Sequence, residues 1–469
     1  MSSDKTIALI FPDGTSMRNW MFSSFLKRLT AYQKIVVFSG LPSFAFDELD
    51  KEIQKKLIVF PLENFREPPL SQLYRYAKLS ASLHWNNSED PNPTFFRNFP
   101  KFSKYSGLYK LMLKTAWKMG ERNANQTSVL KYEDRQVLAM RKGKKALIAQ
   151  YQKQLENLNI DFIFNVHQRE VKVLPVMLAA KNLGLKTINF VYSWDNLPKG
   201  RMAVPADDFF VWSDYMQAEL EYYYPDISEN RIHVTGTPQF EFYHTTSVTP
   251  RIDFAKKHGL NPDKQWLLYS GDMTDASPFD QHYLEDVYLE VQKIPEKSRP
   301  QIVFRNAPVD QTDRFKAVLA KYPEIIHISP LWRNESEHER KMVSTLEDTQ
   351  LLVNLCFHCK TAINFGSTMA LDFAQFDKKV LYLNYNHPQI NSEEWTSEIF
   401  YRYTHFESMN DLEAVYWVNH KSEILEKVTQ ALKPKQDIRD LKLWENKVSP
   451  EPQKTVEKIL KYLSGFGKN

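Results

Sequence analysis

Residues 361–385 read TAINFGSTMALDFAQFDKKVLYLNY. The apolar run Thr361–Phe365 predicts a buried strand, Gly366-Ser367-Thr368 a loop, Met369–Phe376 a helix, and Val380–Asn384 the next strand. Gly366 lets the backbone approach closely, while Ser367 and Thr368 are residue types that cap helices and donate hydroxyl hydrogen bonds. Amides left unpaired at a helix start, with the positive end of the helix dipole, form an anion site suited to a diphosphate. Asp372, six residues beyond Gly366, is then expected to accept hydrogen bonds from ribose or sugar hydroxyls. An ordinary capped helix with a solvated aspartate fits the same residues, so the segment alone does not decide between them.

Outward from this stretch the chain repeats the same rhythm. Predicted strands are Thr6–Phe11, Ile35–Ser39, Leu57–Pro61, Asp161–Val166, Thr187–Tyr192, Asp208–Ser213 and Arg231–Thr235. After a crossover with Pro250 and Pro262 they resume as Trp266–Ser270, Gln301–Arg305, Ile325–Ser329, Thr361–Phe365 and Val380–Asn384. Pro12–Ser16 reads as a turn before a helix Met17–Leu29, residues 95–145 read as a helical insertion, and Thr455–Leu463 as a short amphipathic helix. Strands alternating with helices imply parallel sheets. The expected architecture is α/β, with two doubly wound, Rossmann-like domains: residues 1–245, and residues 246–469 with the C-terminal helix. Facing one another, they would bind ligands in a cleft at the carboxyl ends of their strands.

Other polar groups cluster after strands. Arg305, at the end of Gln301–Arg305, is a guanidinium able to neutralise phosphate. Ser270 and Gly271 open a loop that can approach phosphate, and Trp332 offers an aromatic face for a nucleobase or for core packing. In the first half, Asp13, Asp195 and His167 each follow a strand and are candidates for the general base. Arg18, Asn19, Arg169 and Glu170 are candidates for acceptor contacts. Taken singly, Asp13 also reads as a turn former, Asp195 as an Asx-turn before Pro198 and His167 as a helix cap; that polar clusters all follow strands favours a functional cleft. No Asp-x-Asp follows a strand, so no metal is expected.

The segment Gly366–Val380, with Ser-Thr, a helix carrying Asp372-Phe373-Ala374 and a lysine before the next strand, resembles the nucleotide-binding domain of GT-B superfamily glycosyltransferases (UDP-glycosyltransferase/glycogen phosphorylase-like). Within them it is similar to bacterial surface-polysaccharide enzymes and CDP-glycerol glycerophosphotransferases. Arg305 and Pro308 match their Arg-x-x-Pro segment, although Ala307 stands where the glycerophosphotransferases carry histidine. Val211–Asp214 and Val234–Gln239 resemble the segments that precede the domain crossover in the same superfamily. The resemblance implies metal-independent transfer of a sugar from a nucleotide-sugar donor to a hydroxyl acceptor, a glycan or lipid-linked molecule, with the nucleotide sugar as co-substrate and no further cofactor. Alternatives on the same fold are glycerophosphate transfer, sugar-nucleotide epimerisation, and an inactive nucleotide-binding scaffold.

Composition agrees with a folded enzyme of this size. With 42% hydrophobic and 25% charged residues among 469, the chain is neither disordered nor fibrous. Its 61 Lys+Arg against 57 Asp+Glu leave a net charge of +4, too little to indicate a nucleic-acid partner. The two cysteines, Cys356 and Cys359, lack the further ligands that zinc would need and read as buried structural thiols. No stretch reaches the ~20 apolar residues of a membrane span, and a cytoplasmic location is expected. Lys101–Met119 carries five lysines and no acidic residue, a composition suited to peripheral contact with the inner face of an anionic membrane or to a solvated helix.

Overall fold

The computed structural model describes residues 3–29, 32–310, 312–333, 342–390 and 395–466. They divide into two compact units, residues 1–239 with 448–469 and residues 240–447. The chain thus leaves the first unit at Gln239, six residues before the boundary expected from sequence. The last helix, Thr455–Gly465, returns to the first unit instead of completing the second.

The first unit holds seven parallel strands: β1 (Ser3–Phe11), β2 (Tyr32–Ser39), β3 (Leu57–Pro61), β4 (Phe162–Asn165), β5 (Lys186–Phe190), β6 (Asp208–Val211) and β7 (Ile232–Val234). Their order is β3-β2-β1-β4-β5-β6-β7, so the winding reverses between β1 and β4. The second unit repeats the plan with β8 (Trp266–Ser270), β9 (Gln301–Arg305), β10 (Ile326–His327), β11 (Thr361–Asn364), β12 (Leu381–Leu383) and β13 (Tyr416–Val418), in the order β10-β9-β8-β11-β12-β13. Its reversal lies between β8 and β11. Ligands of open parallel sheets bind beyond the carboxyl ends of the strands at such reversals.

Continuous burial explains why these short segments are strands. All four residues of β4, β6 and β11 and all five of β8 are buried, as expected for a parallel sheet covered on both faces. Trp20, fully buried, packs edge-on against Phe25, Phe164 and Phe190 at 4.8–5.1 Å between ring centres, fixing the helix after β1 on the sheet. That helix is Gly14–Met21, starting inside the expected turn, and a second short helix follows at Phe25–Leu29. The side chains of Thr15 and Ser16 lie outside the described residues.

The C-terminal helix is held to the first sheet by its apolar end. Phe466 lies 6.3 Å from both Phe162 and Phe210, and the Lys5 ammonium donates to the carbonyls of Ser464 and Phe466. Gly236 sits at φ 86° with the Thr455 hydroxyl where a Cβ would be, which closes the packing against this helix.

The helical layer begins earlier than sequence suggests, with Pro69–Glu89, and continues through Gly107–Arg122, Gln126–Gly143 and Lys145–Asn157. A buried ionic knot ties it to the loop after β5. Glu133 accepts from Lys78 (3.2 Å) and from Arg201 (3.2 and 3.4 Å), Lys78 also donates to the Met202 carbonyl, and Arg201 donates to Asp226. Burial alone would raise the Glu133 pKa, but the two cations hold it down to about 2. A depressed carboxylate contributes stability above its unfolded value of 4.5 and loses it as pH falls through 2, on the order of 3 kcal/mol in all. Urea midpoints should therefore fall between pH 4.5 and 2, with a shallower slope in Glu133→Gln; an unchanged slope would contradict the assignment.

Candidate active site

In the first unit, Ile10 of β1 pairs with Asn165 of β4. Parallel neighbours in this register bring the residues just past the two strand ends together. Asp13 and His167 meet there, with Nδ1 of His167 and Oδ2 of Asp13 2.6 Å apart. Both side chains are partly exposed, 13% for His167 and 26% for Asp13, so a ligand can reach them. Glu170 completes the group: its carboxylate, that of Asp13 and the imidazole lie within 4.8 Å of one another. Two carboxylates and an imidazole at that spacing are also a donor set that a divalent cation could take.

A buried amide scaffold positions the histidine. The Asn165 side chain accepts from the His167 amide (3.3 Å) and donates to the His167 carbonyl (3.1 Å) and to Asn189 (2.8 Å), which in turn donates to the Val204 carbonyl. Gln168, 1% exposed, accepts from the Tyr192 amide at 3.0 Å and donates to Asn196. The Tyr192 ring stacks on His167 at 4.3 Å and 28°. Sequence reasoning missed Asn165, Asn189, Gln168 and Tyr192. Their signal was polar residues inside or just beyond apolar strand runs, where an amide must find partners or be excluded.

The remaining first-unit candidates are more dispersed. Asp195 is paired with Lys199 and accepts from Asn196 (2.9 Å), and it stands outside the Asp13–His167–Glu170 group. Arg18 donates to Asn19 at 3.4 Å, and Asn19 is buried, 4% exposed. Arg169 is half-buried and makes no side-chain hydrogen bond among the described residues.

In the second unit, the ends of β8 and β11 are neighbours in the same way, Tyr269 pairing with Ile363. Ser270 is buried, and the Gly271 amide donates to the Arg305 carbonyl at 2.8 Å. Beyond β11, Asn364 accepts from the Ser367 amide (3.0 Å), and the Ser367 hydroxyl accepts from the Met369 amide (3.3 Å). Gly366 holds φ 54°, and a Cβ there would lie 2.6 Å from both Phe400 and Phe406, so the turn admits no side chain. Ser367 and Thr368 are half-buried at the start of the helix Met369–Ala374, shorter than expected. The Asn364 Nδ2, buried beside this loop, has no partner among the described residues.

Three donor-side candidates sit differently from the sequence expectation. Arg305 is 3% exposed and its Nη2 donates to both carboxylate oxygens of Asp348 (2.8 and 3.0 Å); its Nη1 is buried without a partner among the described residues. The Trp332 indole donates to the same carboxylate at 2.8 Å, so these two residues form a structural knot around Asp348. Asp372 is 5% exposed, within the packed side of its helix and not on a solvent face. The cysteines are free and buried, and burial pushes both thiols up, as inert core groups require.

The loop after β8 carries charges that sequence left out. Asp280 accepts from the Asp272 amide (2.7 Å) and the Tyr269 hydroxyl, while Arg314 pairs with Asp310 and donates to the carbonyls of Ser277 and Asp272. Burial pushes Asp272 up to about 7 and Asp280 to about 6.

No protein-family model and no curated protein matches the chain in sequence. Solved structures do match along its length. A UDP-GlcNAc 2-epimerase from Methanocaldococcus jannaschii is 12% identical, covers 98% of this chain and 99% of its own, and superposes with a TM-score of 0.54. The fold is GT-B. A glycosyltransferase from Rickettsia africae shares this GT-B fold at 12% identity, 98% coverage of both chains and TM-score 0.51. A UDP-GlcNAc 2-epimerase from Neisseria meningitidis, solved with UDP-GlcNAc bound, does so at 11% identity, 98% and 99% coverage and TM-score 0.51.

Proposed function

We propose that this GT-B chain is a nucleotide-sugar-processing enzyme in which Asp13 and His167 move the proton. The observation that carries the reading is the 2.6 Å contact between Asp13 and His167 at the winding reversal of the first sheet. With the Nδ1 proton on the Asp13 side, Nε2 is the basic nitrogen. It would take the proton of an acceptor hydroxyl as that oxygen attacks the anomeric carbon, while Asp13 stabilises the imidazolium. Within the second unit, Ser270, Gly271, Gly366, Ser367 and Thr368 are the proposed contacts of the nucleotide diphosphate, with no metal or additional cofactor. Arg169 and Glu170, with Arg18, would contact the acceptor, a glycan or lipid-linked alcohol; Asn19 is buried and pairs with Gln239 (3.5 Å) instead.

Epimerisation is the second reading, favoured by full-length likeness to two structures described as UDP-GlcNAc 2-epimerases. The same pair would then act on a C–H next to the anomeric centre. Nucleotide sugars incubated with the protein and followed by proton and phosphorus NMR separate the readings. Transfer releases a nucleoside diphosphate only when an acceptor is added, whereas epimerisation gives a new anomeric signal without one. Release of CMP from CDP-glycerol would indicate glycerophosphate transfer. Nucleotide binding without turnover of any donor would contradict both enzyme readings and leave a binding protein.

Lys101–Met119 fits an anionic bilayer as the surface where a lipid-linked acceptor is met. Leu108 is 86% and Leu111 60% exposed on the helix Gly107–Arg122, while Lys101, Lys104, Lys114 and Lys118 are exposed around them. Trp117, by contrast, packs inward on Phe99 and His84. No helix among the described residues is long and apolar enough to cross a membrane. The protein should co-sediment with vesicles containing phosphatidylglycerol, and Leu108→Gln/Leu111→Gln should release it. Equal sedimentation of the two proteins, or none, would exclude this surface.

A further inference from the structure

At the amino end of the second sheet, opposite the Gly271 and Gly366 loops, lies a cavity of about 370 Å³. Its wall is made where the chain enters β8 at Gln265-Trp266 and β11 at Lys360, by the end of the helix Leu346–His358, and by Arg251, Lys264 and Lys378. Four cations and His358 line it against one acid, Asp263.

None of these four cations has an ion-pair carboxylate within 4.0 Å among the described residues; their hydrogen-bond partners are carbonyls, and Arg251 and Lys378 also lie over aromatic rings. The Arg251 guanidinium carbon lies over Trp266, 3.7 Å from the ring centre, and the group donates once each from Nε, Nη1 and Nη2 to the carbonyls of Pro262, His358 and Lys264. Two of its five N–H groups remain. Lys378 spends its donors on the carbonyls of Cys356, Phe357 and Cys359 at the helix end. Lys360 makes a single 3.3 Å bond to the Pro434 carbonyl, and the Lys264 ammonium has no side-chain partner. Two of the lysines therefore keep most of their donors for a ligand. Burial also lowers the Lys378 pKa to about 8, so charge at this wall is held at a cost that an anion would relieve.

We propose that this cavity binds a small phosphate-bearing molecule, held chiefly by Lys264, Lys360 and Arg251, at a site separate from the proposed nucleotide loop. A space of this size falls within the range of small-molecule pockets and exceeds what one phosphate group fills. The exposed Phe357 supplies an apolar rim for the remainder of the molecule.

Lys378 and Arg251 also brace the fold, so the test uses Lys264→Gln/Lys360→Gln. Calorimetric titration of the full chain with inorganic pyrophosphate, at ionic strength fixed with potassium chloride, is compared across three proteins. Wild type and Ser367→Ala/Thr368→Ala should both bind at this site, and Lys264→Gln/Lys360→Gln, with an unchanged melting point in chloride, should bind there at least tenfold more weakly. Identical isotherms for wild type and the lysine variant, or no pyrophosphate binding to wild type, would overturn the proposal. Loss of binding only in Ser367→Ala/Thr368→Ala would assign all binding to the nucleotide loop and overturn it as well.

Discussion

His167→Ala is expected to lower kcat with a nucleotide-sugar substrate by roughly 10²–10⁴-fold, the usual worth of a positioned acid–base group. The imidazole is partly exposed and is oriented by Asp13 at 2.6 Å, while its backbone is fixed by Asn165 independently of the side chain. The variant should therefore fold normally and keep its nucleotide affinity, so the loss appears in kcat. Asp13→Asn retains an oxygen able to accept from Nδ1 but not the charge, and should lose activity with KM little changed. Wild-type turnover in His167→Ala would remove this pair from the mechanism.

Asp348→Ala is expected to cost about 3–5 kcal/mol of stability, the range for removing one partner of a buried ion pair. Asp348, 1% exposed, is the acceptor for Arg305, for the Trp332 indole and for the Leu331 amide at 2.8 Å. Its removal leaves the Arg305 guanidinium buried at the end of β9 without its counter-charge. Chemical denaturation of the second unit measures the loss, and a change under 1 kcal/mol would mean that the guanidinium finds another partner. Arg305→Met/Asp348→Leu, which removes both charges, should recover much of the stability, as apolar replacement of buried pairs does.

Much of the fold was legible because both sheets are built from apolar runs separated by helices. β13 escaped because only Val418 of its three residues is fully buried, leaving no run to read. The helix Pro69–Glu89 escaped because its buried face includes Ser71, Lys78, Ser80, Ser82 and Asn86, so no apolar stripe marks it. The C-terminal helix was recognisable as a helix, but its docking on the first sheet depends on aromatic contacts some 250 residues or more distant in sequence, such as Phe466 with Phe210.

The candidate site divides in the same way. Asp13 and His167 could be named because each follows a strand, yet their meeting required the register of β1 on β4. Arg305 was recognised as a cation at a strand end, whereas its counter-ion lies 43 residues away on a helix. Trp332 followed Arg305 to the same carboxylate. Long-range pairing of charges is the information that spacing along the chain does not carry.

The most direct test of the nucleotide-sugar reading is thermal unfolding in the presence of UDP, GDP, CDP, CMP and dTDP. A ligand that binds only the native state adds about 2.7 kcal/mol at a hundredfold excess over its Kd, enough to move the melting midpoint visibly. One nucleotide should stand out, and Ser367→Ala/Thr368→Ala, melting as wild type when unliganded, should lose the shift. No shift with any nucleotide, or an undiminished shift in the double variant, would contradict that reading.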